Sequence, residues 1–176
     1  MKLAIADPPY PGQAAKHYAD HPDYAGEVDH AELLKRLDTD YDGWALHTSS
    51  VALGEVLGYA ADLGVDGFRI MAWVKSFAAF KANVSVAYAW EPVLVKAARK
   101  PVVSGRLVMR DWISEPITLQ RGLAGAKPEP VCFWLFEVMG ARRDDDLDDL
   151  YPGTGAVMAA WQSWRRLIPI PGLEAS

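Results

Sequence analysis

Apolar positions fall into short runs broken by turn-forming residues. Lys2–Ala6 reads as a first strand and stops at Asp7-Pro8-Pro9-Tyr10. Two successive prolines remove two N–H donors and fix φ, so neither strand nor helix continues through them. Residues 11–28, with Gly12, Pro22 and Gly26, read as a long loop, and loops of that length in compact domains usually serve function. Asp29 then caps a helix, with Glu32 three residues on and Leu33, Leu34, Leu37 and Tyr41 on one face. Trp44–His47 reads as a buried strand. Ser49 or Ser50 is expected to cap a second helix that carries Val56, Leu57, Ala60 and Leu63 on one face and closes at Gly64. Phe68–Val74 is a further strand, and Val84–Val95 holds one or two more.

Alternating strands and helices predict an α/β fold, a mostly parallel sheet with helices on both faces. Val102–Thr118 reads as short strands and turns, and Val131–Val138 fits helix or strand. An acidic loop at Asp144–Asp146 leads to a brief strand, Leu147–Tyr151, then the turn Pro152-Gly153-Thr154-Gly155 and a helix through Arg166. Residues 169–176 read as a frayed tail. With no repeat, low-complexity tract or linker, residues 1–176 are expected to form a single domain.

Composition narrows the function classes. A 176-residue chain with 51% apolar residues can bury one sizeable core. No apolar run nears the roughly 18–20 residues of a membrane span, and Leu3–Ala6 is too short for a secretory signal. One cysteine, Cys132, excludes an intramolecular disulfide and a Cys-rich zinc site, so a reducing cytoplasm is expected. The four histidines are scattered, and no metal is expected.

Charge is uneven. Residues 1–68 hold 4 Lys+Arg against 12 Asp+Glu, residues 69–127 hold 10 against 3, and residues 128–176 hold 4 against 8. A basic middle in an acidic chain suits one polyanion-facing surface, or else a solvated surface of uneven charge.

Two loops at strand ends carry the chemistry, where ligands of open parallel sheets bind. Pro152-Gly153-Thr154-Gly155 opens a helix, so its backbone can approach a ligand closely, although such a bend also serves as a plain strand-to-helix turn. Asp7-Pro8-Pro9-Tyr10 is rarer, with a chance occurrence on the order of one in a thousand for a chain of this size. The prolines stiffen the turn, the Asp7 carboxylate and Pro8 carbonyl accept hydrogen bonds, and Tyr10 offers a stacking face. Two acceptors beside an aromatic ring suit an exocyclic amino group on a planar base.

Asp7-Pro8-Pro9-Tyr10 resembles the catalytic motif of S-adenosylmethionine-dependent amino-methyltransferases, which methylate adenine N6 or cytosine N4. Trp73-Val74-Lys75 looks like the family's Trp-x-Lys segment, and the run Ala89–Val95, containing Glu91, looks like its Glu-plus-apolar strand. Lys127-Pro128-Glu129 resembles its Lys-Pro motif, and Asp149-Leu150-Tyr151-Pro152-Gly153-Thr154-Gly155 its cofactor loop. The order, catalytic motif first and glycine loop last, resembles that of permuted beta-class DNA methyltransferases and the MT-A70-like group. The resemblance spans about residues 3–166. It departs from the beta-class pattern in showing neither an acidic ribose-binding strand after the glycine loop nor a large target-recognition insert. Sequence readout is then expected to rest on loops, a homodimer or a specificity partner.

The resemblance implies a Rossmann-like fold and S-adenosyl-L-methionine as cofactor. It implies catalysis by Asp7, Pro8, Pro9 and Tyr10, and a cofactor site of Asp7, Lys127, Pro128, Asp149, Tyr151, Gly153, Thr154 and Gly155. Substrate contacts are expected from Tyr10, His17, Lys75 and Arg110, although Lys75 and Arg110 also read as solvated basic residues. Adenine N6 in DNA is the leading target. The alternatives are cytosine N4, an RNA adenine, or a non-catalytic nucleic-acid-binding subunit of the same fold. Cys132 lies in an apolar run and reads as core. Glu91, if buried, needs a partner.

Overall fold

The structure is a computed structural model in which residues 1–10, 27–76, 85–100, 108–117 and 126–167 are described. The six strands β1 (Lys2–Ala6), β2 (Gly43–His47), β3 (Phe68–Val74), β4 (Trp90–Lys96), β5 (Trp112–Ser114) and β6 (Asp146–Asp149) form one sheet in the order β5-β3-β4-β2-β1-β6. β1 is parallel to β2 and β6, and β3 is parallel to β5, whereas β4 runs antiparallel to both β2 and β3. Five strands therefore share one direction, and the sheet is mostly parallel. Of the segment Val84–Val95, the described residues 85–95 contribute one strand, β4.

Helices cover both faces. On one side, α1 (His30–Asp40) and α2 (Leu53–Leu63) close a core of Ala4, Ala6, Leu34, Leu37, Trp44, Leu46, Val56 and Leu94. On the other, α3 (Glu129–Val138) and α4 (Ala156–Arg166) pack on Leu3, Ile5, Ala45, Met71, Trp73, Val93 and Val95. Residues of β1 point alternately into the two cores, which is why its apolar run is unbroken.

Local signals explain the elements. The Asp29 side chain accepts from the Glu32 N–H at 2.9 Å and caps α1. α2 departs from expectation. Its N-cap is Ala52, with no side-chain cap bond, and Ser49 Oγ instead accepts from the Ala52 N–H at 3.1 Å, one turn earlier. Val56 and Ala60 are its buried residues, whereas Leu63 is exposed. Gly64 closes α2 at φ 68°, where a glycine carries no steric cost. Val131–Val138 is helical: the segment opens with Pro130 in its first turn and buries Val131, Cys132, Trp134, Leu135, Phe136 and Val138. The strand expected at Leu147–Tyr151 lies at Asp146–Asp149. Trp161 and Trp164 stack at 5.1 Å and pack with Phe136. Among the described residues, no helix is long and apolar enough to cross a membrane.

β1 sits between β2 and β6. The helix after β1 leaves on one face of the sheet, and the helix after β6 leaves on the other. The chain parts between these strands, and a crevice outside such carboxyl ends is where open α/β sheets bind ligands.

Candidate active site

The site is built at the carboxyl ends of β1, β2, β3 and β6. β4 is antiparallel, so it brings its first residues to the same edge. Asp7 follows Ala6 directly, and the prolines behind it end the ladder of β1. Across the strand, Ile5 is in register with Asp149, and the Ile5 carbonyl accepts from the Leu150 N–H at 3.0 Å. Asp7-Pro8-Pro9-Tyr10 and the glycine bend, from opposite ends of the chain, thus begin side by side. The bend is closed by a bond from the Gly155 N–H to the Pro152 carbonyl at 2.6 Å. Gly153 at φ 47° and Gly155 at φ 74° adopt the left-handed backbone that glycine tolerates best.

A charged chain lies behind Asp7. Lys127 Nζ donates to Asp7 Oδ2 at 3.1 Å and to Glu91 Oε1 at 2.7 Å. His47 Nδ1 also donates to Glu91 Oε1, at 2.6 Å, because a carboxylate only accepts. Lys75 Nζ donates to Glu91 Oε2 at 2.9 Å. Both ammoniums sit over the Trp73 ring, at 4.7 Å for Lys75 and 5.0 Å for Lys127. Side-chain exposure falls from 29% at Asp7 to 7% at Lys127, 5% at Glu91 and 0% at His47.

The electrostatics follow from that burial. Burial alone would raise the Glu91 carboxyl, but the charge of Lys127, with His47 and Lys75, outweighs it and holds Glu91 well below the usual carboxylate range. Burial alone would lower the Lys127 ammonium, and Asp7 and Glu91 reverse this and raise it. Donor atoms of Asp7, His47 and Glu91 lie within 4.8 Å of one another, near enough to share one cation. Lys127 Nζ pairs with two of the three, Asp7 and Glu91.

The expected residues divide plainly. Asp7, Lys127 and Lys75 are joined through Glu91, and Asp149 faces Asp7 from β6. Burial raises the Asp149 carboxyl, and Asp7 adds to the effect; Asp149 Oδ2 is buried with no hydrogen-bond partner among the described residues. Pro128 is the N-cap of α3, which places Lys127 at the helix entrance. Tyr151 is half-buried, packs with the α1/α2 core, and has its phenol raised by burial. Arg110 stands apart, its guanidinium 5.2 Å from the Trp112 ring centroid. His17 lies outside the described residues. Cys132 is wholly buried, and burial pushes its thiol up to about 12.

Two residues escape sequence reasoning. His47 is the last residue of β2, and only the pairing of β2 with β4 brings it to Glu91. His30, the first residue of α1, is buried, and its Nε2 lies 3.1 Å from the Pro9 carbonyl, to which it donates. Burial lowers the His30 imidazole below its ordinary value. The one available signal for His30 was its place directly after the Asp29 cap.

No protein-family model matches the chain, and no curated protein matches it in sequence. Solved structures do match. The M1.HpyAVI–SAM complex aligns over 94% of this chain and 79% of its own, with TM-score 0.61 and 15% identity. M1.HpyAVI alone aligns over 93% and 76%, with TM-score 0.58 and 16% identity. A Thermus thermophilus protein named as a DNA modification methylase, solved with S-adenosyl-L-methionine, aligns over 95% and 81%, with TM-score 0.53 and 17% identity. The chain therefore shares the Rossmann-like α/β fold of these solved structures, two of which hold S-adenosyl-L-methionine.

Proposed function

We propose that this protein transfers a methyl group from S-adenosyl-L-methionine to the exocyclic amino group of a nucleobase, with adenine N6 in DNA as the leading target. The observation that carries this reading is the adjacency of Asp7 and the glycine bend, through the register of Ile5 with Asp149. The solved structures of the same fold that hold S-adenosyl-L-methionine support the cofactor. The residues present fit it. Asp149 offers a buried acceptor oxygen that has no partner among the described residues and suits a cationic ligand, and Gly153 and Gly155 keep side chains out of the bend.

When bound, S-adenosyl-L-methionine supplies an electrophilic methyl group on a sulfonium. Asp149, Tyr151, Gly153, Thr154 and Gly155 would hold it, with Lys127 and Pro128 at the adjoining wall. Asp7 Oδ1 or Oδ2 and the Pro8 carbonyl accept the two N–H bonds of the substrate amine. An aromatic amine is a poor nucleophile because its lone pair is delocalised into the ring. Two acceptors favour a pyramidal nitrogen and stabilise its developing positive charge, so the protein contributes positioning and electrostatics. Tyr10 stacks on a base that is extruded or already single-stranded, a contact worth roughly 1–3 kcal/mol.

Calorimetry with S-adenosyl-L-methionine, with and without DNA, tests the cofactor half of this reading. Micromolar-range binding is expected; no measurable heat in either case would favour a non-catalytic nucleic-acid-binding subunit.

A further inference from the structure

A buried charge cluster centred on Glu91 lies behind Asp7. We propose that Glu91 is a positioning residue for Asp7. It fixes the Lys127 ammonium at 2.7 Å, Lys127 fixes Asp7 Oδ2 at 3.1 Å, and His47 and Lys75 hold the two Glu91 oxygens from behind. The assignment rests on the reading of Asp7 as acceptor of the substrate amine.

Burying a carboxylate is costly, and Glu91 stands in β4 beside Val93 and Val95, on a face otherwise packed with apolar side chains. What the carboxylate supplies there is an end-point for Lys127. Lysine carries a point charge on a flexible four-carbon stem. With Asp7 as its sole counter-charge, that stem would follow the carboxylate, and neither would have a fixed place. Divided between two carboxylates, with Glu91 immobilised by His47 and Lys75, the ammonium holds Asp7 in one place. Two carboxylates and two ammoniums leave the cluster formally neutral. A carboxylate has about four lone-pair sites, so Asp7 retains capacity for a substrate N–H.

The charged and titratable groups around Asp7 and Glu91 come from every neighbouring element: His47 of β2, Lys75 after β3, Lys127 before α3 and Asp149 of β6. A role confined to packing would weaken the fold without moving the Asp7 side chain.

The test is the crystal structure of the full chain as wild type and as Glu91→Gln, paired with steady-state methyl transfer. Wild type should hold Asp7 in one rotamer against Lys127, and Glu91→Gln should show Asp7 displaced or in two rotamers. The kcat of Glu91→Gln should fall at least about tenfold while the KM for S-adenosyl-L-methionine stays within about threefold, as expected for a displaced acceptor. An unmoved Asp7 or an unchanged kcat in a folded variant would each overturn the proposal. Where Glu91→Gln fails to fold, Glu91→Asp, which keeps the charge on a shorter stem, decides: a displaced Asp7 supports positioning, and an unmoved one overturns it. The structures need no turnover, so a displaced Asp7 in a protein that methylates nothing would leave the Glu91–Asp7 coupling standing and strike the proposed function instead.

Discussion

Asp7 leaves β1 with one carboxylate oxygen held by Lys127 and with prolines on its far side. This makes it rigid without making it buried. Replacing it with alanine removes an acceptor and none of the glycine bend. Asp7→Ala should therefore abolish methyl transfer while leaving affinity for S-adenosyl-L-methionine within about tenfold, a loss of less than about 1.4 kcal/mol measurable by calorimetry. An active Asp7→Ala protein would remove the mechanism. At this scale the sequence is legible where function is compressed into neighbours: Asp7-Pro8-Pro9-Tyr10 and Tyr151–Gly155 announce themselves as loops with unusual chemistry. It is opaque where function is spread across strands. Glu91 meets Lys75, His47 and Lys127 only through pairing of β4 with β2 and β3 and the placing of Lys127 ahead of α3. No spacing along the chain encodes those contacts.

Among the elements, apolar periodicity sufficed for β1, α1, β2, β3 and α4, whose patterns are long or bounded by caps and glycines. It could not settle α3, because a helix buried nearly all round loses its periodic signature. The direction of β4 was equally hidden, since a both-sides-buried strand reads the same in either sense. The turn before β6 depends on a single carboxylate. Asp145 is 2% exposed, accepts from both terminal guanidinium nitrogens of Arg99, the N-terminal ammonium and the Arg142 N–H, and so ties the chain after β4 to the entry of β6. The Arg99 bonds hold its carboxyl far below the usual carboxylate range. A depressed folded value stabilises above the ordinary pKa of about 4 and is lost as pH falls below it. Asp145→Asn should cost about 3 kcal/mol in urea unfolding at pH 7, since it strands the Arg99 charge. It should also flatten the loss of stability on acidification below about pH 4. A neutral effect at pH 7 would show that this bridge does not hold the turn.

Across the molecule, the basic middle segment means something different from what composition suggests. Arg69, Lys75, Lys96, Arg99 and Lys127 are all spent in ion pairs with Asp111, Glu91, Asp38, Asp145, and Asp7 with Glu91, respectively. Four of these, Lys75, Lys96, Arg99 and Lys127, are at most 28% exposed and act as internal wiring, which net charge along a sequence cannot distinguish from a binding face. Arg110, stacked on Trp112, is one described cation with no acidic partner in the same set of ion pairs. Nucleic-acid affinity should accordingly fall with salt, but shallowly, by about ten- to a hundredfold between roughly 50 and 200 mM, as for a few phosphate contacts. Fluorescence anisotropy with a labelled oligonucleotide checks this, and salt-independent binding would contradict any phosphate-facing surface.

The proposed reaction is methyl transfer to a base nitrogen directed by Asp7. Its most direct test is mass spectrometry of nucleosides from DNA and RNA incubated with the protein and S-adenosyl-L-methionine carrying a deuterated methyl group. Deuterium is expected in an N-methylated nucleoside, N6-methyladenine of DNA foremost, and should disappear with Asp7→Ala. Label on a ring carbon, or no labelled nucleoside from any nucleic acid despite cofactor binding, would contradict it.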